Sequence, residues 1–191
     1  MLSKILQIDN NWLSFLNHFA LSHKIAREVF IIGGIYLIYL IPIVLIVLWF
    51  WEVKTKKVAL KAVFAGLISW LAIANILGRL INRPRPVEAG QIQEVIFHRP
   101  SYSFPSDHTA FLFAVSISFF LVGYRKLSYF CFFLAIISSF SRIALGFHYP
   151  SDILAGAILG LIVGFLVWLF DRPLNYLYNF ILAIAGKMRL A

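Results

Sequence analysis

The chain has 191 residues, of which 61% are hydrophobic and only 13% charged, and its mean hydropathy of +0.87 excludes a water-soluble domain and implies an integral membrane protein. The formal charge of +9 arises from 17 Lys and Arg against 8 acidic residues. The bases gather at the ends of apolar segments and in one loop, so membrane orientation and an anionic ligand account for them, and no nucleic-acid partner is expected.

The first 27 residues mix Leu, Ile, Trp and Phe with polar residues at roughly helical spacing, which predicts an amphipathic helix in the membrane interface or packed on a bundle. No cleavable signal peptide is evident, since no compact apolar stretch is followed by a small-residue cleavage site. Five stretches, 29–51, 58–81, 107–124, 127–146 and 151–170, are long enough to cross a hydrocarbon core, which takes about 20 helical residues. Cys131, the only cysteine, lies inside one of them and cannot form an internal disulfide. The tail, 173–191, is ambiguous. Pro173, Lys187 and Arg189 favour an interfacial segment, and a short sixth span is the alternative. The expected fold is therefore an all-α, polytopic membrane bundle of five to six spans with an amphipathic N-terminal helix, forming one membrane-embedded domain over residues 1–191.

Loop charge orients the bundle. Lys54, Lys56, Lys57 and Lys61 follow the first span, Arg125 and Lys126 the third, and Arg172, Lys187 and Arg189 the fifth, so these ends are expected in the cytoplasm. The loops at 82–106 and 147–150 then face outward with the N-terminal segment. Gly156, Gly160 and Gly164 recur every four residues in the last span, a spacing that lets helix backbones approach closely, either within the bundle or at a dimer seam.

Three polar clusters reach the outward side. In "GRLINRPRP", 78–86, Arg79 and Arg83 are four apart and are expected on one helix face, while Pro84 and Pro86 extend the chain around Arg85. Neighbouring guanidiniums repel unless an anion lies between them, and their planar donor forks match phosphate oxygens. A cationic helix end among lipid headgroups is the alternative. In "SFPSDHTAF", 103–111, Pro105, Ser106 and Asp107 favour a helix start whose first-turn N–H groups form an anion site. Capping alone would explain Ser106 and Asp107, but not His108 at the membrane edge. In "SRIALGFHYPSD", 141–152, Arg142 precedes His148, and Asp152 lies in the first turn of the next helix. There its carboxylate is expected to accept a proton from one imidazole nitrogen and leave the other free to attack, with histidine as nucleophile. A zinc site is disfavoured because the adjacent guanidiniums repel a divalent cation; neither a metal nor a cofactor is expected.

These motifs resemble the type 2 phosphatidic acid phosphatase superfamily, whose signature has three parts. Ser141, Arg142, His148 and Asp152 match the third in full. Pro105, Ser106, Asp107 and His108 match the second with Asp in place of Gly. Arg85 and Pro86 match the end of the first, but its Lys position holds Gly78, and Arg79 is the nearest base. "SFPSDHT" and the Arg-Pro-Arg-Pro ending are similar to the branch of bacterial undecaprenyl-diphosphatases of the bacitracin-resistance type. The resemblance implies a membrane lipid phosphatase in which His148 forms a phosphohistidine, Asp152 orients it, and His108 protonates the leaving oxygen and then helps activate water. It implies that Arg85, Arg142, Ser106 and the N–H groups of residues 107 and 108 hold phosphate oxygens, with Arg79 or Arg83 supplying the charge of the absent Lys. The substrate it implies is the diphosphorylated prenyl carrier outside a bacterial cytoplasmic membrane, with phosphatidylglycerol phosphate, phosphatidic acid or a lipid A phosphate as alternatives. A non-enzymatic anion or lipid transporter using the arginines is the alternative of another class. His98 and Arg99 share the outward loop, as headgroup contacts or as solvated residues.

Overall fold

The computed structural model describes residues 2–93, 95–96 and 101–188, so His98, Arg99 and Arg189 lie outside the described residues. Among the described residues seven helical segments follow one another: α1 (Leu2–Ser22), α2 (Lys24–Trp51), α3 (Val53–Ile81), α4 (Asp107–Leu121), α5 (Arg125–Ala144), α6 (Pro150–Leu169) and α7 (Asp171–Lys187). Four of them, α2, α3, α5 and α6, are long and apolar enough to cross a membrane. No strand occurs among the described residues.

The expected third span, 107–124, ends at Leu121, because Gly123 turns the chain at φ 89°. The resulting α4 has only 15 residues. It lies among α3, α5 and α6, and Ala110, Leu112, Ala114, Val115 and Phe119 on it are all buried. The glycine stripe explains how α6 approaches it so closely. A Cβ at Gly160 would strike the Ala110 carbonyl, and one at Gly164 would lie 2.9 Å from the Ala114 carbonyl. The small-residue face is thus used inside the bundle, against α4. Large side chains such as Phe133, Ile158 and Phe165 point outward from α5 and α6, as expected of helices solvated by lipid.

Two wider turns interrupt the long spans, a feature often found at functional sites. In α2 the π-helical turn Ile32–Tyr36 brings Gly33 and Gly34 against α5, where a Cβ on either would collide with Ser141 or Leu145. In α3 the π-helical turn Ile68–Ala74 carries Trp70 toward α4. At its other end α3 stops at Ile81, with Asn82 in the left-handed region at φ 49° and its N–H donating to the Gly78 carbonyl. Such a cap redirects the chain. Arg79 and Arg83 consequently do not share a helix face, contrary to the expectation from their spacing.

The amphipathic flanks divide between the two ends. α1 packs on α5 and α6, burying Asp9, Leu13, Asn17 and Ala20 and exposing the apolar stripe Ile8, Trp12, Phe15 and Phe19. This is the reverse of a water-facing surface helix and places lipid on its outer side. α7, at 17 residues, carries Pro173 in its first turn, where a missing N–H is tolerated. It is tied to the start of α3 by Lys61–Asp171 at 2.8 Å and Lys57–Asn179 at 3.1 Å. Its composition is amphipathic, and it is not among the four spans. The lysine-rich end of the bundle is therefore the end opposite the polar motifs.

Candidate active site

The C-terminal ends of α3 and α5 and the N-terminal ends of α4 and α6 meet at one end of the bundle, and there the three polar clusters converge. His148, in the tight turn between α5 and α6, is fully buried. Its Nδ1 lies 2.7 Å from the Ser103 carbonyl oxygen. A carbonyl only accepts, so Nδ1 carries the proton and the lone pair resides on Nε2. That nitrogen faces Arg142 Nη2 at 3.3 Å and Arg85 Nη1 at 3.4 Å. Burial first, then the two guanidiniums, hold the His148 pKa well below the ordinary histidine value. The result is a neutral imidazole whose Nε2 lone pair faces two guanidinium donors.

Both arginines are buried and anchored by neutral acceptors. Arg85 donates to the Phe147 carbonyl at 2.7 Å and to Ser101 Oγ at 2.8 and 3.1 Å. Arg142 donates to the Gly34 carbonyl at 3.0 Å, the group presented by the π-helical turn of α2. Arg142 Nε is buried with no partner among the described residues. A buried donor without a partner is costly, and an anion between the two guanidiniums would relieve it. Glu88 Oε1 accepts from the Ser101 N–H at 3.2 Å, fixing the loop that carries Arg85's hydroxyl partner.

Asp152 does not bond His148 directly, contrary to the expected pairing: its Oδ2 stands 3.9 Å from Nδ1. Both carboxylate oxygens are occupied elsewhere. Oδ1 accepts from Arg83 Nη1 at 2.6 Å, and Oδ2 accepts from the Tyr149 N–H at 2.9 Å and from the Ser103 hydroxyl. The link to the histidine runs through Ser103, whose hydroxyl donates to Asp152 while its carbonyl accepts from His148. Arg83 also donates to Asp9 Oδ2 at 3.0 Å and lies 3.7 Å over the Tyr149 ring. It is committed to carboxylates behind the histidine and does not face the space in front of Nε2. Arg79 is exposed on α3 and takes no part in the convergence.

His108 is held differently. Its Nδ1 lies 2.9 Å from Asp107 Oδ1, its side chain is 27% exposed, and Trp70 stands beside it at 6.3 Å between ring centroids. Asp107 Oδ1 also accepts the His108 backbone N–H at 2.7 Å. That N–H is therefore occupied in this structure, and the Asp107 carboxylate is the partner of His108. Ser106 occupies the N-cap position of α4 without a side-chain cap bond. It is fully buried, its Oγ accepts from Thr109 Oγ1 at 3.0 Å, and its N–H donates to the Asp152 carbonyl at 3.1 Å. Gly156 permits this approach, since a Cβ there would lie 2.5 Å from the Ser106 carbonyl oxygen.

A cleft beside Arg85 is lined by Asn75, Gly78, Ser101, Tyr102 and Asp107. At Gly78 a Cβ would stand 3.3 Å from Tyr102, and no base occupies the position. Sequence reasoning missed Asp9, Ser101, Ser103 and Trp70. Ser103 opens the quoted stretch 103–111 but has no role in the sequence reading; the others carry no sequence signal, since each reaches the site only through tertiary packing.

Comparisons with known proteins place the chain in a family. The model of the PAP2 superfamily matches residues 57–176. "Undecaprenyl-diphosphatase BcrC" of Bacillus subtilis (strain 168) is 32% identical over 150 residues, covering 78% of this chain and 77% of that protein. "Bacitracin transport permease protein BcrC" of Bacillus licheniformis is 28% identical over 168 residues, covering 86% and 81%. Among solved structures, the transmembrane PAP2-type phosphatidylglycerolphosphate phosphatase from Bacillus subtilis superposes with a TM-score of 0.60 at 24% identity, covering 90% of this chain and 86% of that one. Three motifs on four converging helix ends, the bundle that joins them and a family match across most of the chain lead to one conclusion: the chain belongs to the PAP2 superfamily.

Proposed function

We propose that this membrane lipid phosphatase hydrolyses undecaprenyl diphosphate to undecaprenyl phosphate through a phosphohistidine on His148. The observation that carries the mechanism is the Nδ1–H bond from His148 to the Ser103 carbonyl, which leaves the Nε2 lone pair directed at Arg85 and Arg142. Nε2 attacks the terminal phosphorus as the bond to the bridging oxygen breaks, and protonated His108 donates to that leaving oxygen. A water then attacks the phosphohistidine, His108 takes one of its protons, and the N–P bond breaks to return neutral His148 and release phosphate. Phosphoryl transfer asks mainly for positioning and for fixed positive charge around the equatorial oxygens, which Arg85 and Arg142 supply, with the Ser106 hydroxyl as a further donor. Asp152, acting through Ser103, offsets the positive charge that the imidazole acquires. Arg83 serves Asp152 in this scheme rather than phosphate.

The prenyl diphosphate rests on the Bacillus subtilis relative and on the "SFPSDHT" motif. The excess of bases at the opposite end of the bundle supports an extracytoplasmic site in a bacterial inner membrane. The permease name of the second relative keeps a transport reading in view, but a nucleophile with its lone pair fixed between two guanidiniums favours hydrolysis. The test is phosphate release by the purified chain in detergent with EDTA, comparing undecaprenyl diphosphate, phosphatidylglycerol phosphate and phosphatidic acid, with His148→Ala as control. Preference for the prenyl diphosphate, lost in His148→Ala, is the expected result. Preference for a glycerophospholipid overturns the substrate, and activity surviving the substitution overturns the mechanism.

A further inference from the structure

The N-terminal helix carries a carboxylate into the site that no motif includes. Asp9 is 2% exposed, and a buried carboxylate is strongly unfavourable unless it is paired and hydrogen-bonded. Here three donors satisfy it. Oδ1 accepts from the Ser151 N–H at 2.8 Å, and Oδ2 accepts from Ser151 Oγ at 2.5 Å and from Arg83 Nη2 at 3.0 Å. Ser151 Oγ accepts in turn from Arg83 Nη1 at 2.8 Å, and that same Nη1 donates to Asp152. Asp9 thus grips the first turn of α6 one residue before Asp152, and it shares a single guanidinium with Asp152.

We propose that Asp9 is a positioning residue for phosphoryl transfer at His148, acting through Arg83 and Asp152. This inference rests on the phosphohistidine reading above. Its physical basis is charge balance. One guanidinium stands between two carboxylates, so the cluster behind His148 keeps a net negative charge, and a positive phosphoimidazole forms against it. Without the Asp9 charge, Arg83 neutralises Asp152 alone, and that offset disappears. The geometry is affected in the same direction, because Asp152 fixes Ser103, and Ser103 fixes the imidazole. α1 is docked independently of Asp9 by Leu13, which packs with Ile143 and Tyr149, and by Asn17, which donates to the Ala144 carbonyl at 3.1 Å. The role of Asp9 is therefore separable from the docking of its helix.

The experiment uses the full chain in detergent micelles, with phosphate release from the preferred lipid phosphate and melting temperature followed together. Asp9→Asn, nearly isosteric, is expected to lower kcat roughly 10- to 100-fold, the scale of a small misplacement away from the reacting atoms, with KM changed less than about 3-fold. Asn17→Ala, which loosens α1 without removing charge, is expected to keep kcat within about 3-fold. In an Asp152→Asn background the Asp9 substitution is expected to cost less than about 3-fold more, since residues acting in series are not additive. The inference is overturned if Asp9→Asn keeps full kcat, if Asn17→Ala loses as much, or if the Asp9 loss appears undiminished in the double variant. If Asp9→Asn does not fold, Ser151→Ala, which removes one donor to Asp9 and no charge, takes its place in the cycle and must show the same non-additivity. An inactive unsubstituted chain, or full activity in His148→Ala, sinks the phosphatase reading instead, so the two failures are distinguishable.

Discussion

Two Pro-Ser-Asp sequences start two helices of this protein, and the same three residues are used in opposite ways. At Pro105-Ser106-Asp107 the aspartate turns to the next residue and holds His108, whose side chain remains 27% exposed. At Pro150-Ser151-Asp152 the aspartate turns away from His148 to Arg83 and Ser103, and the serine binds Asp9, so the histidine sits fully buried in front of a fixed network. A nucleophile gains from a frozen tautomer and a fixed lone pair. A proton carrier must reach first a leaving oxygen and then water, and gains from access. The motif supplies a helix start with polar groups at its mouth; the neighbours decide which task it performs.

The comparison breaks most readily at the buried histidine. His148→Ala is expected to abolish phosphate release, a loss on the order of 10⁴-fold or more, and to leave no acid-labile phosphoprotein after incubation with labelled substrate. His108→Ala is expected to lose roughly 10²- to 10⁴-fold with the lipid substrate and to recover most of the first step with a p-nitrophenyl leaving group, which needs no proton. A substrate-independent loss would remove the distinction between the two histidines. Arg85→Gln is expected to lower kcat/KM roughly 10²-fold by removing a fixed charge at the developing anion, and it also carries a pH signature. In the proposed mechanism His148 must be neutral to attack, and burial with two guanidiniums holds its pKa down, so the acid limb of kcat/KM is expected below the ordinary histidine value of about 6.5. Removing one guanidinium raises the His148 pKa and moves that limb to higher pH; an unmoved limb would show that another group controls it. The smallest effect is expected at Asp107→Asn, about 10-fold in kcat with little change in KM, measured beside Asp107→Gly, which restores the residue of the general family motif.

The sequence carried the bundle, the amphipathic flanks and both histidines legibly, because hydrophobic runs and polar interruptions are local signals. It misdirected wherever a side chain's partner came from another element. Arg79 and Arg83 have helical spacing, but Asn82 ends the helix between them in the left-handed region. Asp152, in the first turn of the helix that follows His148, is the partner the sequence offers for the imidazole, but Ser103 from the loop before α4 takes the position between them. Asp9 was illegible in principle. An acid on an amphipathic helix ordinarily marks its wet face, and here the helix turns that face onto the protein and its apolar stripe toward lipid. Gly156, Gly160 and Gly164 announced a close approach without naming the partner, which only the packing against α4 reveals.

The brevity of α4 has a consequence for encounter. Its 15 residues span about 22 Å, less than the roughly 30 Å of a hydrocarbon core. Arg125 and Lys126, both exposed, follow its far end, and such bases are expected at the membrane surface. The end that carries His108 and His148 is therefore expected near the boundary between acyl chains and headgroups. A lipid phosphate is then expected to arrive by sliding within its own leaflet, keeping its tail immersed. Turnover is then governed by how many substrate molecules share the sheet with each enzyme, so diluting the membrane with inert lipid slows the reaction, whereas diluting the suspension with buffer does not.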